Sequence, residues 1–574
     1  MINRFITRSR SRTLTVGFLS GLLLPAGLSL ILALASAAPT PAAEQVTLSY
    51  GFIEVSVSVQ SLRNYAEQGE VGADLAPYLK RLSETERSQF RTVLQSKSNV
   101  SPVEVSQFLR SSIGDNILKS AGNIIQTPSR LNGGRGLRGA LVLSAAEPEG
   151  LSVLGTLEKF PTKTVRINSR KIFQSVREFT ALFQDTRGAI AAIAQQAVPE
   201  DNALNNKSVF ELAQSGPYSV AMQSLTLTDR NRDRQIPVDL YLPASSQSSV
   251  PPAPLIVASP GLAGDRTGFA VIGNHLASHG FAVAALDHPG SDTANFEALL
   301  AGRADEIADP AGFSERPRDI SYLLDELTRL NNISGPIANR LEMTKIGVIG
   351  HSYGGTTALS VAGAQLNIDT LTANCSADQL VLNAADPSML LQCTALKVPQ
   401  QFSEDLRDER IQAVMAMNPV TSSLFGQAGF SQLAVPSLLV SGSADPVSPA
   451  LIEQIRPFIW LSEAQPITGQ TDSSEHYLAL IQGGSHLYDP LELNDADLSF
   501  TNGLVSPNTD ITDSYLKALS LGFMQMTVAR DPNYQKVLDR NITLNQQPLP
   551  LYVISTLTEA MLNPVPEAAD PSSF

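Results

Sequence analysis

A serine hydroxyl becomes a nucleophile only when a neighbouring base takes its proton, and that base needs an acid to hold its tautomer. Ser352 is the residue best placed for this chemistry. It lies in Gly350-His351-Ser352-Tyr353-Gly354, between an apolar run (Ile346-Gly347-Val348-Ile349) and a small-residue run that begins Thr356-Thr357-Ala358. A strand, a tight turn and a helix are expected there, with glycines two residues either side of the serine because side chains would collide across the turn. A chain of this length holds about 0.2 such five-residue patterns by chance. The flanking strand and helix, and partners elsewhere in the chain, separate it from an ordinary strand–turn–helix corner.

In arrangements of this kind the acid and then the histidine follow the serine. Two histidines lie beyond Ser352. His476 opens the strand pattern His476-Tyr477-Leu478-Ala479-Leu480-Ile481 and reads as structural. His486 follows that strand in Gly483-Gly484-Ser485-His486, a glycine-rich loop suited to a catalytic base. Asp445, in Ser443-Ala444-Asp445-Pro446 after another strand, is the leading acid, with Asp489 and Asp472 as fallbacks. An oxyanion would need two backbone N–H donors. Tyr353, next to the nucleophile, offers one, and Leu262, in Ser259-Pro260-Gly261-Leu262, the other. His288, in Asp287-His288-Pro289-Gly290, also ends a strand and is given a structural or substrate-contact role, lining the pocket, and not a place in the triad. No histidine pair has metal-ligand spacing, and no cofactor or metal is called for.

The elements that position these residues alternate. Strands are expected at 219–222, 224–228 and 238–243 as an antiparallel hairpin. Strands at 255–259, 281–286, 346–350, 411–417, 437–441 and 478–482 then alternate with helices at 269–279, 318–330 and after Ser352. Near-continuous apolar strands separated by helices predict an α/β fold with a doubly wound, mostly parallel sheet. The stretch 364–410 has no clear strand pattern and reads as a cap insertion. A helix over 511–538 is expected to pack on the sheet.

With 574 residues the chain is long enough for two or three domains. Residues 1–43 read as a signal peptide, with Arg4, Arg8, Arg10 and Arg12 ahead of a long uncharged run and Ala35-Ser36-Ala37 at cleavage spacing. An uncleaved membrane anchor is the alternative, and either reading puts the body of the protein outside the cytoplasm as an exported chain. Residues 44–165 read as a small helical domain with capping boxes at Ser83 and Ser101. Residues 166–214 form a helical linker, 215–540 the catalytic domain and 541–574 a C-terminal tail. The net charge of −14 repels phosphate backbones and argues against nucleic acid as a partner. Cys375 and Cys393, the two cysteines of the chain, both fall in the insertion and suit a single disulfide.

Ser259-Pro260-Gly261-Leu262, Leu276-Ala277-Ser278-His279-Gly280-Phe281, Asp287-His288-Pro289-Gly290, Gly350-His351-Ser352-Tyr353-Gly354-Gly355 and Gly483-Gly484-Ser485-His486 together carry a family likeness. Residues from about 215 to 530 resemble the α/β-hydrolase superfamily. Within it they are most like plasma-type platelet-activating-factor acetylhydrolases and dienelactone-hydrolase-like serine esterases. The leader together with the helical segment resembles a domain of unknown function that precedes such hydrolases in some bacteria. The resemblance implies a Ser352–Asp445–His486 triad and carboxylic-ester hydrolysis through an acyl-enzyme. It also implies a small-molecule or lipid ester as substrate, with association to a membrane surface and the oligomeric state left open. Two departures stand out: acetylhydrolases of that type carry histidine where this chain has Pro260, and dienelactone hydrolases proper use cysteine where it has Ser352. Cutinase-like polyester hydrolases share the Ser-Pro-Gly loop and form the alternative. A catalytically silent hydrolase fold used for binding is the competing class.

Overall fold

The computed structural model describes residues 42–50, 53–197, 206–244, 250–376, 385–463, 475–488, 503–534, 542–544 and 549–562. Nearly all of the leader, the fallback acids Asp472 and Asp489 and the stretch 563–574 lie outside the described residues.

The N-terminal part is not purely helical. β1 (Gln45–Tyr50), β2 (Ile53–Ser58), β4 (Ile125–Gln126) and β6 (Thr164–Asn168) form a four-stranded sheet in the order β2-β1-β6-β4, and β3 (Lys97–Ser98) pairs with β5 (Leu151–Ser152). The helices Glu84–Gln95 and Pro102–Arg110 do begin at the two capping boxes, with Ser83 and Ser101 each accepting a backbone N–H from the N3 glutamate. The departure from the helical reading lies in β1, β2 and β6. On β1 the hydroxyls are buried: Thr47 bonds Ser56 and Ser49 donates to the Ile167 carbonyl, so the two-residue alternation there is blurred. A 28-residue helix, Ser169–Gln196, then leads toward the larger domain.

Ten strands make the main sheet: β7 (Ser219–Asp229), β8 (Arg234–Ala244), β9 (Ala253–Ser259), β10 (Ala282–Leu286), β11 (Leu341–His351), β12 (Ile411–Met417), β13 (Ser437–Gly442), β14 (His476–Ile481), β15 (Ile542–Leu544) and β16 (Leu551–Ile554). Their order is β15-β16-β14-β13-β12-β11-β9-β10-β8-β7. The six central strands, β10 to β14 with β9, pair in parallel, and antiparallel strands close both edges. β10 and β13 are buried along their whole length, as two-sided helix cover requires. The helix Thr509–Met524 lies against one face. Gly347 on β11 admits it, since a Cβ there would come 2.8 Å from the Met524 sulfur. The sheet does not end at residue 540. β16 pairs with β14, so part of the expected tail is an edge of the core.

Between the Tyr353–Val361 helix and β12, the insertion folds into short helical turns, including Ile368–Asn374, Met389–Gln392 and Cys393–Lys397. Cys375 and Cys393 are disulfide-bonded across it. No helix among the described residues is long and apolar enough to cross a membrane.

Candidate functional site

β11 delivers Ser352 to a corner of unusual geometry. Its backbone has φ 53° and ψ −121°, a region that non-glycine residues rarely occupy, and the helix Tyr353–Val361 starts at the next residue. The flanking glycines are sterically required. A Cβ on Gly350 would sit 2.0 Å from the Gly354 carbonyl oxygen, and one on Gly354 would sit 1.9 Å from the Ser259 oxygen. The turn is pinned by a 2.8 Å bond from the Ser352 N–H to the Met417 carbonyl of β12.

The loops that follow β13 and β14 bring Asp445 and His486 to this corner. His486 Nε2 lies 3.0 Å from Ser352 Oγ, and His486 Nδ1 lies 2.7 Å from Asp445 Oδ2. The other carboxylate oxygen of Asp445 accepts the Val447 and Ser448 N–H groups at 2.7 and 2.8 Å, which fixes the side chain in one orientation. All three residues are buried, with Ser352 and His486 each 7% exposed. The histidine loop has its own support. Asn418 donates to the Ser485 and His486 carbonyls, while its oxygen accepts from Gly442 N–H and the Tyr488 hydroxyl. His351 Nε2 lies 2.8 Å from the His486 carbonyl. Burial, with the His486 charge second, pushes the His351 imidazole down to about 3, so it is neutral and donates that bond.

Leu262 sits in the loop after β9, and Gly261 brings that loop against Ser352: a Cβ on Gly261 would lie 3.4 Å from the serine Cβ. Tyr353 is the first helical residue, whose N–H has no intrahelical acceptor. The two expected oxyanion donors therefore belong to segments packed on either side of Ser352.

His288 is not in the pocket. It is fully buried beneath the loop, where Nε2 lies 2.9 Å from Ser259 Oγ and Nδ1 lies 3.1 Å from Asp319 Oδ2. This repeats the connectivity of a Ser–His–Asp relay, yet Ser259 is 0% exposed and no substrate reaches it. Desolvation, followed by the Arg316 charge, pushes the His288 imidazole down to about 3. The position after β10 was legible, but the side chain turns inward to meet two buried polar groups and not outward to the cavity.

Arg316 went unread in the sequence. Its side chain is fully buried, with Nε bonded to Thr357 Oγ1 at 3.0 Å and Nη1 to Ser291 Oγ at 2.8 Å. Nη2 bonds the Pro260 carbonyl, and the guanidinium carbon stands 4.3 Å over the Tyr353 ring. One cation thus ties the β9 loop to the helix that follows Ser352. Desolvation lowers its pKa to about 10, which leaves it charged at neutral pH. Nothing in local spacing marks such a residue: an arginine on an amphipathic helix ordinarily faces water.

A cavity of about 290 Å³ opens onto Ser352 and His486. Its walls come from the β9 loop (Pro260, Gly261, Leu262), the insertion (Pro387, Ser388, Leu390, Leu391), Val420 and Val447, and Ile113 of the N-terminal part. Among the described residues no group of three His, Cys, Asp or Glu side chains could hold a metal ion.

Comparison with known proteins agrees with this architecture. Residues 256–496 match the model of the alpha/beta hydrolase family, and residues 42–168 match an alpha/beta hydrolase of unknown function, DUF1400. Cutinase est1 of Thermobifida alba is 28% identical over 178 residues, which cover 30% of this chain and 49% of the relative. Cutinase cut1 of Thermobifida fusca is 26% identical over 177 residues, or 31% and 47%. The chain spans about half the length of the curated relatives it matches. With its central parallel strands, its serine corner and these two family segments, the chain carries alpha/beta hydrolase domains over residues 42–168 and 256–496.

Proposed function

We propose that this protein is a serine carboxylic-ester hydrolase acting on lipid or other acyl esters of short to medium chain. The observation that carries the reading is the unbroken run of hydrogen bonds from Asp445 through His486 to Ser352 at the mouth of a largely apolar cavity. In this mechanism His486 takes the Ser352 proton as Oγ attacks the ester carbonyl, and Asp445 steadies the imidazolium that forms. The Leu262 and Tyr353 N–H groups hold the oxyanion. His486 then protonates the departing alcohol, and a water attacking the acyl-enzyme returns Ser352. The aliphatic walls suit an acyl chain, which gains about 0.8 kcal/mol per buried methylene. Placement outside the cytoplasm, as an exported enzyme, agrees with the Cys375–Cys393 disulfide.

The similarity to proteins named cutinase favours a second reading, a polyester hydrolase. Fluorophosphonate labelling of the purified protein followed by peptide mapping tests the core of the proposal. One adduct, on Ser352, is expected. A folded protein that takes no label overturns the proposal in favour of a silent binding fold. Turnover of monomeric esters against polyester film then separates the two enzymatic readings.

Arg316 has a positioning role in this mechanism, because it joins the two segments that carry the oxyanion donors. Arg316→Ala is expected to lower kcat by about 10²-fold with little change in KM, the effect of donors displaced by an ångström. Added guanidinium should restore part of the rate, whereas Arg316→Lys, lacking the planar fork, should restore less. A parallel collapse of melting temperature and rate without guanidinium rescue would reduce Arg316 to a packing residue.

A further inference from the structure

The N-terminal part makes its closest approach to the chemistry through the helix Ser112–Ile124. Ser111 caps this helix by accepting the Gly114 N–H, and the next residue is held by the hydrolase domain. Ser112 N–H donates to Glu306 Oε2 at 2.6 Å, its hydroxyl bonds the other oxygen of the same carboxylate, and Lys397 Nζ lies 3.1 Å from Glu306 Oε1 and also bonds the Ser112 hydroxyl. Three parts of the chain meet at one carboxylate: the N-terminal helix, the loop after the helix Thr293–Leu300 that carries Glu306, and the insertion that carries Lys397. A carboxylate at a helix N-terminus is favoured by the helix dipole and by the unbonded N–H groups there.

This clamp determines where Ile113 goes. The residue is 9% exposed, belongs to the main hydrophobic core and faces the cavity alongside Ser388, Leu390 and Leu391 of the insertion. Phe108, near the end of the preceding helix, and Ile117, one turn further along, pack against the same core. The cavity that opens onto Ser352 is therefore not closed by the hydrolase domain alone.

We propose that the N-terminal domain is a specificity element: Ile113, held by the Ser112–Glu306–Lys397 clamp, forms the wall that limits the acyl chain the pocket accepts. This rests on the ester-hydrolase reading above and assigns its substrate side. The branched Ile113 side chain fills space that a longer chain needs, so its volume should tune the preferred length without touching the reacting groups.

The test is a series of p-nitrophenyl esters from acetyl to lauroyl on the wild-type protein, Ile113→Ala and Ile113→Trp. Relative to wild type, Ile113→Trp should move the kcat/KM optimum to shorter chains and change the long-to-short ratio by about tenfold or more, and Ile113→Ala should move it to longer ones. Glu306→Gln, which weakens the clamp, should flatten the length profile. Labelling of Ser352 by a small fluorophosphonate should be unchanged in all three, which separates a change of wall from a damaged triad. Calorimetric binding of free fatty acids of graded length provides the same comparison without turnover. If the wild-type protein fails to label, the ester-hydrolase reading falls, and the fatty-acid series still decides whether Ile113 sets the length. Length profiles identical to wild type in both Ile113 variants, with normal melting, overturn the proposal.

Discussion

Ser352→Ala should reduce ester turnover by about 10⁶-fold, to the level that binding and the oxyanion donors sustain without a nucleophile. The same substitution should leave the melting temperature nearly unchanged. Alanine keeps the Cβ, so the strained φ of 53° and the packing against Gly261 persist, and only the bond to His486 is lost, about 1 kcal/mol at most. Activity assays and calorimetry on one preparation decide the matter. A mutant that retains substantial turnover removes Ser352 from the mechanism, and one that unfolds shows the hydroxyl to be structural.

Asp445→Asn should cost about 10⁴-fold in kcat with KM and stability close to wild type. The asparagine carbonyl can still accept the Val447 and Ser448 N–H groups, so the loop should hold its shape. The amide NH₂ would then face His486 Nδ1. That nitrogen must accept instead of donate, which moves the imidazole proton to Nε2, where it opposes Ser352 Oγ. A base that already carries its proton on the reacting side cannot take another. A rate near wild type would send the acid role to Asp489 or Asp472.

What was legible in the sequence followed from how far each signal reaches along the chain. The serine corner, the strand that ends before Asp445 and the strand that ends before His486 are local patterns of a few residues each, and the order of parallel strands converts them into neighbours. Cys375 and Cys393 had no other cysteine to pair with. Arg316 and His288 were missed or misplaced because burial of a polar side chain depends on partners 25 to 57 residues away, such as Ser291 and Ser259. The helix that carries Arg316 runs Gly312–Asn331 with Pro317 inside it, and a proline so placed reads as a helix start, which hid the first turn and the arginine with it. The small sheet of the N-terminal part was obscured by its buried serines and threonines.

The clamp at Glu306 also bears on how such a protein can be inherited. The two family segments look like separable modules, and a recombination point near residue 200 would fall between them. A shuffled chain that received only the later segment would lose Ile113 and the core residues Ala189 and Ile193, and would leave Glu306 and Lys397 without Ser112. If Ile113 sets the chain length, selection on the substrate acts across the junction, on residues of both segments at once.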